Sequence, residues 1–371
     1  MVSRFRVKME QKAISYMIMN KTTMNMTTEY IKTWPDLMAG KKILYVHGFA
    51  SSGQSGTVSL LKTIFPKAEV IAPDLPLPPF EAIELLHEVC RSENPNLIIG
   101  SSMGGMMAEQ LHGYYRILVN PAFQMGDTMG SHGMVGKLTF QNPRKDGIQE
   151  MIVTKATVKE YRLLTEKCFC YKNEEDVPLH DGEENVSGIP AEEDKKVFAL
   201  FGDRDPLVHT RDLFLSHYSQ GIDFHGEHRL VDSIVHHSLV PVVRWIDDIQ
   251  EGRQRETIYI DTECLHNRKN EAAPSMLKAV ESLLDNYNLF FVSPSPTNNP
   301  ERIAETLAWL KEYVGVPAFN HSVFTNSPEL LYGDFYIAPN PPKSTMATAI
   351  EYGSDQFKTW EEIITYFSRL K

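Results

Sequence analysis

Gly100-Ser101-Ser102-Met103-Gly104 sets a serine between two glycines, with the apolar run Leu97-Ile98-Ile99 before it and helix-favouring Met106-Met107-Ala108 after it. G-x-S-x-G at such a junction is the pattern of a nucleophile elbow, a strained strand-to-helix turn that holds the serine hydroxyl out at its tip. A side chain at Gly100 or Gly104 would collide with the neighbouring strand or helix, and the nucleophile itself must adopt a backbone conformation that most residues resist. A serine hydroxyl is a weak nucleophile, so Ser102 needs a base, and the base needs an orienting acid. Downstream, Asp205 lies just past an apolar run in Gly202-Asp203-Arg204-Asp205, and His228 follows in Gly226-Glu227-His228. Asp205 would hold the imidazole in the right tautomer and stabilise its cation. His228 would take the Ser102 proton and return it to the leaving group. Alternatives stand beside both. Asp203 is near Asp205 but suits a turn cap. His225 and His237 are other candidate bases, although His236 and His237 fall within an apparent helix. Two backbone donors must face the developing oxyanion. The sequence offers the amide of Met103 and, from His47-Gly48-Phe49, the amide of Phe49; His47 also reads as a brace for that loop.

These residues need elements that end at a common edge. Apolar runs at Lys42–His47, Ala68–Ala72, Leu97–Gly100, Arg116–Val119 and Val197–Phe201 read as buried strands. Helical periodicity at Thr57–Phe65, Phe80–Ser92, Thr210–Tyr218 and Val231–Ile249 alternates with them, and Ile222–Phe224 adds a short strand before the His228 loop. Strand and helix in alternation predict an α/β fold with a mainly parallel sheet and helices on both faces. The alternation lapses over residues 123–195, which reads as a cap inserted over the strand ends. Its methionines, Met125, Met129 and Met134, suit either an adaptable pocket or ordinary packing. An acidic surface loop follows, with Glu174, Glu175, Asp176, Asp181, Glu183 and Glu184.

Residues 1–39 read as an N-terminal extension, with a short helix over Thr28–Ala39, and residues 40–250 as the first domain. The charged, apolar-free stretch 251–256 reads as a linker. The pattern then restarts over 257–371 as a smaller, Rossmann-like α/β unit. It has strands at Ile258–Ile260, Leu289–Val292 and, last, Phe335–Ile337, and helices at Ala273–Asn286, Glu301–Tyr313 and Trp360–Leu370.

At 371 residues the chain is long for one core. Its net charge of -11, with no Lys/Arg-rich stripe, argues against nucleic acid and anionic membrane surfaces as partners. Cys90, Cys168, Cys170 and Cys264 form no C-x-x-C pair, so spacing gives no metal site. Sparse cysteines and the lack of a signal-like apolar segment point to reduced thiols in the cytoplasm. No cofactor is implied. A homo-oligomer is compatible with the sequence.

Tyr45-Val46-His47-Gly48-Phe49-Ala50-Ser51-Ser52, Pro73-Asp74-Leu75-Pro76, the Ser102 elbow and Val119-Asn120-Pro121-Ala122 together resemble the YqiA/YcfP family of α/β-fold hydrolases. The resemblance covers residues 40 to 125 and resumes from Val197 to Ile249, leaving the cap outside it. It implies an α/β-hydrolase fold, in which serine, acid and histidine follow in that chain order. The activity it implies is that of a small cytoplasmic serine esterase or thioesterase acting on an acyl substrate.

Ile258-Tyr259-Ile260-Asp261-Thr262-Glu263 looks like the first strand of a haloacid-dehalogenase-type phosphatase, where the strand-end aspartate attacks phosphate. Phe291-Val292-Ser293-Pro294-Ser295 and Tyr332-Gly333-Asp334-Phe335-Tyr336-Ile337 are similar to its 5'-nucleotidase branch. The departures fall on the chemistry. Glu263 stands in place of the second aspartate, Cys264 in place of a glycine, and Ala338-Pro339 in place of paired carboxylates; no lysine lies near Asn326-Ser327-Pro328. With little left to hold Mg²⁺, this unit reads as a non-catalytic relative that docks, dimerises or senses a small molecule. A phosphatase working through Asp261 is the remaining alternative.

Overall fold

The strand segments that carry the candidate residues are apolar on both faces, as a parallel sheet buried on both sides requires. A computed structural model describes residues 31–131, 133–171, 189–231, 235–267, 271–294 and 299–370. In chain order the first part contains β1 (Lys42–Val46), α1 (Gly56–Ile64), β2 (Glu69–Ile71), α2 (Pro79–Glu93), β3 (Leu97–Ser101), α3 (Met103–Glu109) and β4 (Arg116–Val119). Then come α4 (Met125–Ser131), β5 (Gly136–Thr139), β6 (Glu150–Val153), α5 (Lys155–Thr165), β7 (Val197–Gly202), β8 (Gly221–Phe224) and α6 (Val240–Glu251). Six strands form one all-parallel sheet in the order β2-β1-β3-β4-β7-β8. Its register aligns Val46 with Gly100, Ser101 with Val119, Val119 with Leu200 and Gly202 with Phe224. The loops after β1, β3, β4, β7 and β8 therefore leave the sheet at one edge. The mainly parallel sheet predicted from the alternation of strands and helices is therefore present.

The second part contains β9 (Thr257–Asp261), α7 (Met276–Leu284), β10 (Asn288–Ser293), α8 (Glu301–Tyr313), β11 (Ser322–Phe324), β12 (Phe335–Ala338), β13 (Thr348–Glu351) and α9 (Trp360–Ser368). Its five strands are also all parallel, ordered β11-β10-β9-β12-β13, over their own core around Ile258, Ile260, Phe291, Ile337 and Trp360. The chain from Trp34 onward clusters as a single unit. Among the described residues no helix is long and apolar enough to cross a membrane.

Three expectations need correction. Residues 31–34 have no regular structure and 35–40 form turns in place of the expected helix, because Pro35 disfavours helical backbone at Trp34. Phe335–Ala338 is not the last strand: β13 follows, and β11 precedes it. Both are short, β11 is half-exposed and β13 exposes all but Ile350, so neither shows the apolar run that marked the others. The helix expected over Val231–Ile249 is broken in kind, with a wide turn at Val235–Leu239 leading into α6.

Between β4 and β7 the insertion contributes α4, the antiparallel hairpin β5–β6 and α5. Met125 and Met129 are buried in the main core, the packing role of the two alternatives, and Met134 is packed against it. The six acidic residues expected in a loop at 174–184 lie outside the described residues.

Candidate active site

Ser102 sits at the tip of the turn between β3 and α3 with φ 57° and ψ -120°, a conformation costing of order 1–3 kcal/mol in a non-glycine residue. The surroundings hold it there. The Ser102 amide donates to Val119 O at 2.9 Å, and Ser102 O accepts from the amides of Gly105 (2.9 Å) and Ala122 (3.0 Å). The two glycines are required by contact rather than conformation. A Cβ at Gly100 would strike Gly104 O and come within 2.7 Å of Ala108 Cβ; one at Gly104 would strike Val46 O.

The β1 loop lies against the elbow. A Cβ on Gly48 would come within 3.4 Å of Ser102 Cβ and 3.9 Å of its Oγ. Phe49 is the next residue of that loop and Met103 the first of α3, so the expected oxyanion donors belong to the two segments that meet at Ser102. His47 is buried. Its Nε2 accepts from the Leu75 amide at 3.1 Å, so Nδ1 carries the proton and donates to Gly48 O at 2.9 Å. Burial lowers its pKa and keeps it neutral. Of its two readings, the geometry gives the brace.

His228 and Asp205 come together. His228 Nδ1 lies 2.7 Å from Asp205 Oδ2, and Asp205 Oδ1 accepts from the amides of Leu207 (2.8 Å) and Val208 (3.2 Å). Burial pushes the Asp205 carboxyl up, but the hydrogen bonds from His228 and Leu207 outweigh it and leave it below the ordinary aspartate value. An ionised Asp205 accepting from Nδ1–H leaves Nε2 as the imidazole's free acceptor.

The alternative bases are engaged elsewhere. His225 Nδ1 is 2.6 Å from Asp203 Oδ2, and its Nε2 is 2.8 Å from Glu312 O. His237 Nδ1 is 2.5 Å from Glu281 Oε1, and the His236 ring lies 4.9 Å from that of Trp34. Asp203 Oδ1 also accepts from Gly226 N at 3.0 Å, so its carboxylate joins the loop after β8 rather than capping its own turn.

Asn120 was legible only as part of Val119-Asn120-Pro121-Ala122, without a role. It is buried, with φ 44°. Its Nδ2 donates to Glu227 O and His228 O, both at 3.1 Å, while Oδ1 accepts from Gly202 N at 2.7 Å. One side chain thus fixes the loop carrying His228 to the strand end before Asp205. An asparagine directly past a buried strand was the available signal, since asparagine tolerates left-handed backbone and bonds local carbonyls.

The cap segment reaches the same loops. Gln141 N donates to Ala50 O at 2.8 Å, and Gln141 Oε1 accepts from Arg229 at 2.8 Å. Ser52 Oγ donates to Pro143 O at 2.7 Å, and Asp74 joins Gly53 N (2.8 Å) to Lys145 N (2.7 Å). Residues 141–145 therefore tie the oxyanion-side loop to the loop bearing His228.

In the second sheet a cavity of about 500 Å³ opens at the carboxyl ends of the strands, lined by Thr262, Glu263, His266, Ser293, Arg302 and Trp309 among others. Asp261 Oδ1 is taken up by the Glu263 amide at 2.9 Å, and burial pushes its carboxyl up to about 6. Among the described residues no three His, Cys, Asp or Glu side chains gather as a metal cage.

The model of an uncharacterised protein family (UPF0227) matches residues 42–177. A protein of Vibrio phage KVP40 named as a putative 5'(3')-deoxyribonucleotidase is 24% identical over 95 residues, 25% of this chain and 56% of that protein. The chain thus spans about half the length of this curated relative. Solved structures similar to it include Est1E from Butyrivibrio proteoclasticus (15% identity, TM-score 0.35, 58% of this chain and 89% of that one). Another is the esterase domain of a Rhodothermus marinus protein (16%, TM-score 0.33, 60% and 89%).

Proposed function

We propose that this chain is a serine hydrolase of esterase or thioesterase type, cleaving a small acyl ester in the cytoplasm without metal or cofactor. The observation that carries the proposal is the pairing of His228 with Asp205 at the sheet edge where Ser102 stands in its strained turn. In this reading Ser102 Oγ attacks the acyl carbonyl as His228 Nε2 removes its proton. The Phe49 and Met103 amides receive the oxyanion, and His228 returns the proton to the leaving group. Water then attacks the acyl-enzyme by the same route in reverse roles. The second sheet is read as non-catalytic: the Asp261 oxygen is committed to a cap, and Ala338 stands where a metal site would need a carboxylate. A phosphatase working through Asp261 would instead release phosphate from nucleotides only with Mg²⁺, and Asp261→Asn would abolish it.

The test is intact-mass analysis after fluorophosphonate treatment of the native protein, Ser102→Ala and His228→Ala. One adduct on the native protein, absent from both variants, is the expected result. An adduct that survives Ser102→Ala would overturn the assignment of the nucleophile, and no adduct on native protein would overturn the serine-hydrolase reading.

A further inference from the structure

His225 was a candidate base, yet both of its ring nitrogens face acceptors. Asp203 Oδ2 lies 2.6 Å from Nδ1 and the backbone carbonyl of Glu312 lies 2.8 Å from Nε2. A carbonyl only accepts, and so does a carboxylate, so both ring nitrogens must donate and the ring is an imidazolium. The Asp203 hydrogen bond accordingly holds its pKa above the ordinary histidine value. Glu312 is in the last turn of α8, where a cation also meets the negative end of the helix dipole. Alongside, Lys311 Nζ, from the same turn, pairs with Asp223 Oδ2 at 2.8 Å on β8. Asp223 Oδ1 is held by Arg211 Nε at 2.8 Å, and His321, which directly precedes β11, stacks on Trp245 of α6 at 4.8 Å.

We infer that helix α8 of the second sheet positions the catalytic loop of the first, with His225 as the positioning residue that joins Glu312 to the segment bearing His228. The inference rests on the serine-hydrolase reading for its kinetic consequence, but not for the clamp itself. His225 precedes His228 by three residues, and the Glu227 and His228 carbonyls are held by Asn120. The loop is therefore held at both flanks, once from within the hydrolase sheet and once by α8. On this view the second sheet is retained as a structural part of the hydrolase site, not as a second enzyme.

Two near-isosteric variants separate the two bonds of His225. In His225→Asn the amide nitrogen takes the place of Nδ1 and keeps Asp203, but cannot reach Glu312. In His225→Gln the amide nitrogen takes the place of Nε2 and keeps the bond to Glu312 O. The full-length proteins are compared by amide hydrogen exchange over residues 225–230 and by the rate of fluorophosphonate labelling, with kcat and KM for a p-nitrophenyl ester. Losing a charge-assisted, partly exposed bond should raise exchange in His225→Asn by about tenfold and slow labelling and kcat by roughly threefold to tenfold at unchanged KM. His225→Gln should stay within about twofold of native on every readout, as retention of the same bond requires. Equal behaviour of the two variants, whether both native-like or both impaired, would overturn the inference. If native protein takes up no label at Ser102, the hydrolase reading fails, and the exchange comparison alone decides the clamp.

Discussion

Asn120→Asp changes one atom group and should disable the loop that carries His228. Asparagine and aspartate have the same shape and both accept φ 44°. The acceptor Oδ1 facing Gly202 N is kept at 2.7 Å, but the Nδ2 that donates to Glu227 O and His228 O at 3.1 Å becomes an oxygen. Two hydrogen bonds are replaced by two oxygen–oxygen contacts in a site that is only 1% exposed. Each buried carbonyl left without its donor costs about 1–3 kcal/mol, so the folded loop loses roughly 3 kcal/mol if water relieves part of the repulsion. At about 1.5 °C per kcal/mol for a unit as long as Trp34–Lys371, the melting midpoint should fall by roughly 4–5 °C. The loop has a cheaper response, which is to move away and take His228 with it. A misplacement of about 1 Å costs on the order of 10²-fold in rate. The assay is kcat and KM for a p-nitrophenyl ester beside a thermal melt, with Asn120→Ala as the comparison, since alanine removes the donor without adding repulsion. Asp should be worse than Ala in kcat. If Asn120→Asp melted lower yet kept native kcat and labelling rate, Asn120 would stabilise the sheet without positioning His228.

Asp205→Asn presents an amide donor to His228 Nδ1, forces the proton onto Nε2 and should lower kcat by about 10³–10⁴ with KM little changed; a loss under tenfold would remove Asp205 from its role. The Asp205 carboxyl is depressed in the folded protein, so its contribution to stability is present above the ordinary aspartate range and is lost as pH falls through its lowered value; urea unfolding of Asp205→Asn at pH 7 and pH 3 should show a larger deficit at pH 7. Gly104→Ala drives a Cβ into the Val46 and His47 carbonyls and should cost about 3 kcal/mol or more, seen as loss of soluble protein or of its cooperative melt. Asp261 has the opposite sign: its carboxyl is raised to about 6, so its ionisation weakens the fold as pH rises from about 4 to 6 and the full penalty persists above that. Asp261→Asn, which keeps the cap to Glu263 N, should therefore match native stability at pH 4 and exceed it by on the order of 1 kcal/mol at pH 8; equal stability at both pH values would contradict the buried carboxyl.

The elbow was readable because its demands are local. Gly100 and Gly104 are excluded from bearing side chains by atoms within eight residues or on the adjacent strand, and the central strands announced themselves by apolar runs such as Ile117–Val119 and Val197–Phe201. Asp205 and His228 were readable as strand-end positions for the same reason, since a parallel register brings successive loops to one edge. What escaped notice was short or long-range. Strands β11 and β13 have three and four residues, too few for a period to show. The β5–β6 hairpin alternates over four residues in each strand, too short a run to stand out, with Gly136 at φ 130° opening it. The engagement of His225 with Glu312 spans 87 residues, and no local pattern carries such a pairing.

The same distinction explains why the sequence favoured His228 without setting His225 and His237 aside. His225, His228 and His237 are equivalent as residue types, and spacing from Ser102 separates them poorly. Their partners separate them. His228 meets a buried carboxylate through one nitrogen and has the other available, which is the arrangement a general base requires. His225 meets acceptors through both nitrogens and so has no lone pair with which to take a proton. His237 is paired with Glu281 on α7, which raises its pKa and favours a cation that cannot act as a base. A histidine that has given both ring protons to acceptors serves as a rivet, and one that has given a single proton can serve as a base. Within the span from 225 to 228 this chain carries one of each, His225 bonded through both nitrogens and His228 through one, which is why the proposed base and its proposed clamp fall to these two residues in that order.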